Sequence, residues 1–217
     1  MARKSILSCL LAIFALAPAS PAMPAGVASS GKCLMCHSAS GLSKTTGGNQ
    51  VSLHVEASEL QHSVHASRKC EDCHTDFAGQ SFPHKQNADP VNCSRCHKVG
   101  NTVGAPNDSP MKEYADSVHG LAVKRMDKDA PTCKDCHGTH GIKAPSDPQS
   151  SIYRTRIADT CGKCHMDTAM TKRHNIPNPA KIRLYRNSVH GKAVDKEGML
   201  AAATCTDCHG IHNIEAA

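Results

Sequence analysis

The chain has 217 residues and a formal net charge of +6, yet aromatic residues are 3% of it and tryptophan is absent. Side chains alone therefore offer little bulk for the core that such a length would bury. Basic residues such as Lys124, Arg125 and Lys128 are dispersed among acidic ones, so the positive balance gives no case for nucleic acid as a partner.

The chain opens with Ala2, Arg3 and Lys4, runs apolar from Ser5 to Ala17 and continues in small residues and prolines. This order reads as a secretory signal peptide, taken as residues 1–25, with A-x-A at Ala17 to Ala19 and further small-residue options at Ala25 and Ala28. The apolar run stops at Pro18, short of the ~20 residues that span a bilayer. Cys9 leaves with the leader, and no later segment is apolar enough to cross a membrane. A periplasmic protein, residues 26–217, is expected.

After a first Cys33 to His37 unit, paired glycines and threonines make Gly41 to Gln50 a flexible stretch. Helices are then expected at Glu56 to Ser67, Met111 to Arg125 and Ala180 to Val194, each free of internal proline. Asn101 to Pro110, Gly141 to Gln149 and Asn175 to Pro179 are rich in turn formers and read as loops. The elements group into modules at about 55–100, 111–170 and 180–214. The expected fold is mainly α with extensive loop and little or no β, a single domain.

Twelve of the thirteen cysteines fall into six copies of one pentapeptide. These are Cys33-Leu-Met-Cys36-His37, Cys70-Glu-Asp-Cys73-His74, Cys93-Ser-Arg-Cys96-His97, Cys133-Lys-Asp-Cys136-His137, Cys161-Gly-Lys-Cys164-His165 and Cys205-Thr-Asp-Cys208-His209. CxxCH is the haem c attachment signature: both thiols bond to the porphyrin and the adjoining His reaches the iron. Six disulfides, zinc ribbons and thioredoxin-like redox pairs are the competing readings. Nothing in them calls for a His after every second Cys, and no βαβ pattern surrounds the pairs. Six covalent haems also supply the missing apolar bulk, with short helices wrapped around a stacked haem core. Their propionates offset the basic residues, which removes the remaining argument from charge.

Fifteen histidines less six proximal ones leave nine for six distal positions. Ser63-Val64-His65, Ser117-Val118-His119-Gly120 and Ser188-Val189-His190-Gly191 form one repeat. His137-Gly-Thr-His140-Gly-Ile and His209-Gly-Ile-His212-Asn-Ile form another. His84, after Phe82-Pro83, is the sixth candidate by position. His54, His62 and His174 read as surface residues, with His62 one helical turn from His65 and able to replace it.

Ser117 to Ile142, Thr160 to His165 and Tyr185 to Ile214 resemble periplasmic multihaem cytochromes of the class III cytochrome c and doubled-CxxCH group. The resemblance implies distal ligation by His65, His119, His190, His140 and His212. The first repeat departs from the pattern, with Ala66 in place of Gly and no GxH after His74. It further implies an electron carrier of anaerobic respiration, not an enzyme, exchanging electrons with a membrane quinol-oxidising cytochrome or with periplasmic or outer-membrane cytochromes. The alternative is a nitrite, hydroxylamine or tetrathionate reductase with one open haem. The unit at His37, outside the repeats, is then the expected open site.

Overall fold

The computed structural model describes residues 26, 30–84, 87–106, 108–178 and 180–216; the expected leader and Cys9 lie outside them. Helices are short because capping residues and turn formers recur every few residues. In chain order they are α1 (Gly31–His37), α2 (Ala57–Gln61), α3 (Cys70–Cys73), α4 (Pro110–Asp116), α5 (Val118–Lys124) and α6 (Cys133–His137). Then come α7 (Ile157–His165), α8 (Thr168–Arg173), α9 (Lys181–Asn187), α10 (Val189–Asp195) and α11 (Cys205–His209). Loops join them, as a mainly α protein of this type requires. No described helix is long and apolar enough to cross a membrane.

Three expectations are corrected. Gly41 to Gln50 is part of an antiparallel hairpin in which β1 (Ser43–Thr46) pairs with β2 (Asn49–Ser52), Thr46 opposite Asn49. Gly47 and Gly48 both take positive φ, which is what a two-residue hairpin turn demands. The second correction is that the long helices at 111–125 and 180–194 are each broken in two by a serine. Ser117 and Ser188 are extended (ψ 163° and 168°) and end one helix while capping the next. Ser117 Oγ accepts the Gly120 N–H at 3.0 Å and donates to Tyr114 O at 2.6 Å. Ser188 Oγ accepts the Gly191 N–H at 3.2 Å. A capping serine at this place costs less than leaving the new helix's N–H groups unpaired.

The expected helix at 56–67 is likewise shortened to α2. Ser63 Oγ donates to Leu60 O at 2.9 Å and accepts the His65 N–H at 3.1 Å, and turns follow. Ala66 stands where the other two repeats have Gly, and no second helix forms.

The polypeptide gathers few buried apolar side chains: Ile157, Ala158, Met170, Ile182 and Val194. The first four sit where α7 packs against α8 and α9, and Val194 lies on α10, which packs on α9. The other strongly buried side chains are the structural hydroxyls Ser30, Ser63, Ser117, Ser150, Thr171 and Thr204. The chain is held by caps and turns more than by an aliphatic interior.

Candidate haem-binding site

Three of the pentapeptides begin a helix in the same way. Asp135 accepts the Thr132 backbone N–H at 2.7 Å and its hydroxyl at 2.8 Å, and Asp207 repeats both contacts with Thr204 at 2.7 Å. In the earlier unit Asp72 takes the Lys69 N–H at 2.9 Å. These capping contacts place both cysteines and the histidine on one short turn. After α6 and α11, Gly138 and Gly210 adopt φ 85° and 83°, a left-handed exit closed to most side chains. That exit carries the chain into the GxH segments of His140 and His212.

The histidines converge in pairs. Ring centroids lie 6.0 Å apart for His37 and His84, with planes 9° from parallel, and 6.4 Å apart for His74 and His140. The distances are 6.0 Å for His65 and His97, 6.2 Å for His119 and His165, and 6.1 Å for His137 and His212. A metal between two imidazoles sets centroids about 6.2 Å apart, given metal–nitrogen bonds of about 2.0 Å and about 1.1 Å from nitrogen to centroid. Five pairs at this separation fit an iron between them.

The donor nitrogens are prepared for that task. His37 Nδ1 donates to Leu53 O at 2.7 Å and His209 Nδ1 to Glu215 O at 3.2 Å, which orients the ring and leaves Nε2 as the ligand. Burial, the largest influence, pushes His65, His74, His119, His137, His140 and His165 below the usual imidazole pKa. The neutral form, the one that ligates, is thereby favoured. His84 is held by Phe77 at 4.3 Å and by Phe82 edge-on at 6.0 Å.

The cysteines connect the units in chain order. The first thiols of neighbouring units interact in pairs, Cys33 with Cys70, Cys93 with Cys133 and Cys161 with Cys205. Between these, the second thiols lie near enough to feel each other's charge, Cys73 that of Cys96 and Cys136 that of Cys164. First cysteine to first cysteine, then second to second, the alternation runs through all six pentapeptides. Ser30 Oγ accepts the Cys70 N–H at 3.0 Å and Lys32 pairs with Glu71 at 2.5 Å, docking the first unit on the second.

Among the described residues no second ring faces His209 or His190, and the His190 side chain is exposed. The unit expected to be open, His37, is faced by His84. Of the histidines read as surface residues, His62 Nδ1 donates to Ser58 O at 2.7 Å and His54 lies 3.8 Å from Glu56. His174 is engaged by Asp127 and Asp129 at 3.2 and 2.7 Å, with Arg173 on the same Asp129 oxygen.

Sequence reasoning missed a division into two kinds of unit. His74, His137 and His209 follow Cys-x-Asp-Cys; the first two are each faced by the GxH histidine of the next module. His97 and His165 follow Cys-x-Arg-Cys and Cys-x-Lys-Cys and are faced by the SVH histidine of their own module. The residue before the second Cys was the available signal. It also missed the backbone bonds Val64 N–H to Ile142 O at 2.8 Å and Val118 N–H to Ile214 O at 3.0 Å, by which each module seats the next.

Comparison with protein families matches residues 124–170 to the doubled CXXCH motif. Neither curated proteins nor solved structures return a match. The matched segment spans two adjacent pentapeptides, His140 between them and one of the second-cysteine contacts. Similarity to that motif, the recurrence of the pentapeptide and the paired imidazoles together mark a multihaem c-type cytochrome with covalently bound haem c.

Proposed function

We propose that the chain is an exported, periplasmic carrier of electrons in respiration, holding six haems c as one unit. The observation that carries this reading is the alternation of cysteine contacts through all six pentapeptides. It supports a reading in which neighbouring attachment sites follow one another from Cys33 to Cys205. Haem iron bound by two imidazoles changes valence without opening a substrate position. In this chain the axial pairs would be His37 with His84, His74 with His140, His97 with His65, His137 with His212 and His165 with His119. His190 and His209 would complete the set of ligands. The protein's part is to hold the rings oriented and close to their neighbours. Other redox proteins are the partners: a membrane quinol-oxidising cytochrome as donor and periplasmic or outer-membrane cytochromes as acceptors. Resemblance supports the respiratory setting.

A pyridine haemochrome assay with protein-film voltammetry tests the reading. Six haems per chain and reversible waves over a broad potential range are expected. Fewer haems would overturn the count. A second reading, a reductase, is favoured by His209, which no described ring faces. Catalytic current on adding nitrite, hydroxylamine or tetrathionate would replace the carrier by that enzyme.

A further inference from the structure

The modules repeat, and so do the junctions between them. At the first, Val64 N–H donates to Ile142 O, Lys143 Nζ donates to His62 O at 3.2 Å, and His140 faces His74. At the second, Val118 N–H donates to Ile214 O, His212 lies 3.7 Å from Glu113, and His212 faces His137. Each junction therefore seats a G-x-H-x-I segment: the backbone of its Ile caps the SVH valine, and its His faces the Cys-x-Asp-Cys-His unit of the module beneath.

The third module presents the same surface. Ser188 caps Gly191 as Ser117 caps Gly120, and Tyr185 donates to Ala203 O at 3.0 Å as Tyr114 donates to Pro131 O. Asp207 caps α11 as Asp135 caps α6. Yet among the described residues no carbonyl receives the Val189 N–H and no ring faces His209. Val189 is 78% exposed against 38% for Val118. Leu184, 54% exposed, stands where the earlier modules have Glu59 and Glu113, so this face is the more apolar of the three.

We infer that Leu184, Val189 and His209 form a docking face for a haem c module of a separate cytochrome. Resting on the multihaem reading above, the inference assigns it a partner. A G-x-H-x-I segment of that partner supplies the distal imidazole opposite His209. His190 reciprocally ligates the partner's next haem, as His65 and His119 face His97 and His165. A second copy of this chain does not fit, because its own two such segments are already seated on Val64 and Val118. Continuity with two formed junctions defines the occupant, and electrons would leave by the same contact, since Cys208 is the next second cysteine in the alternation and is exposed.

The test uses the holoprotein and a peptide of residues 138–144, which carries His140 and Ile142. Electron paramagnetic resonance of the oxidised protein alone is expected to show one high-spin ferric haem per chain. The peptide converts it to low spin at about tenfold lower concentration than free imidazole does, the advantage of a backbone hydrogen bond and its apolar contact. Val189→Pro removes the N–H and keeps an apolar side chain, at a first helical position where proline is tolerated. It abolishes the peptide's advantage and leaves imidazole binding unchanged. A second probe, the haem-bearing peptide of residues 159–167, becomes low spin with wild type and not with His190→Ala. All six haems low-spin without any addition would overturn the inference while the carrier reading stands. So would a peptide no better than imidazole or indifferent to Val189→Pro, or a haem peptide indifferent to His190→Ala. A haem count below six would instead defeat the reading on which it rests.

Discussion

Gly120 and Gly191 sit where a helix turns back against the carbonyl that ends the preceding one. A Cβ there would come within 2.0 Å of Tyr114 O and 2.1 Å of Tyr185 O, which no rotamer relieves because both partners are backbone. Gly120→Ala is expected to cost about 1–3 kcal/mol, read as a lower thermal midpoint. Gly31→Ala, with nothing within 4 Å, should lose nothing. The same constraint explains why the repeat reads SVHG: glycine allows the serine-capped kink that turns His119 toward His165. A second residue-scale expectation concerns His84. Its ring is parallel to His37 and wedged by Phe77 and Phe82, so His84→Ala should add one high-spin ferric signal to the oxidised spectrum. Phe77→Ala should broaden that haem's low-spin signal without removing it, because the ring loses its brace and keeps its nitrogen.

The elements are short and depend on their caps. α6 is five residues long and could not persist alone, since isolated helices of that length do not repay nucleation. Asp135→Asn weakens the acceptor for the Thr132 N–H and hydroxyl, and a loss of about 1 kcal/mol is expected, visible as a lower thermal midpoint of the holoprotein. α8 is tied down differently, by Arg173 and His174 on Asp129. Hydrogen bonds from His174 and then Arg173 hold the Asp129 carboxyl below its ordinary value of 3.8. Because the native pKa is the lower one, the tether contributes fully above the usual carboxylate range. It is lost as pH falls through that range and past the depressed value. Wild type and Asp129→Asn should differ in thermal midpoint at neutral pH and converge in acid; a constant difference would refute the assignment. The hairpin at Ser43–Ser52 belongs to this scale too. Two glycines looked like disorder in the sequence and act as a turn.

At the scale of the molecule, order along the chain is order in space. Removing the third attachment site by Cys93→Ser and Cys96→Ser takes out the link between Cys73 on one side and Cys133 on the other. Reduction by a donor that reaches one end, followed by stopped-flow absorbance, is expected to change from one fast phase to a fast and a slow one. An unchanged trace would show that electrons do not travel in the order of the cysteine contacts. Few aliphatic side chains are buried, and they cluster around α7, so stability should depend on haem loading throughout.

The sequence by itself determined the chemistry, because attachment of haem c needs two thiols and a histidine within five residues and such a pattern is local. It also determined the mainly helical, loop-rich character, and the repeats around His65, His119, His140, His190 and His212 marked the candidate ligands. Which imidazole faces which depended on packing across modules, where partners lie tens of residues apart and no local spacing records the distance. His84 against His37 is one case. The seating of Ile142 on Val64 and of Ile214 on Val118 is another, and with them the bare face at Val189. Tertiary structure decided these because a backbone hydrogen bond between distant segments leaves no mark on side-chain composition, whereas the covalent requirement of a haem site is written into consecutive residues.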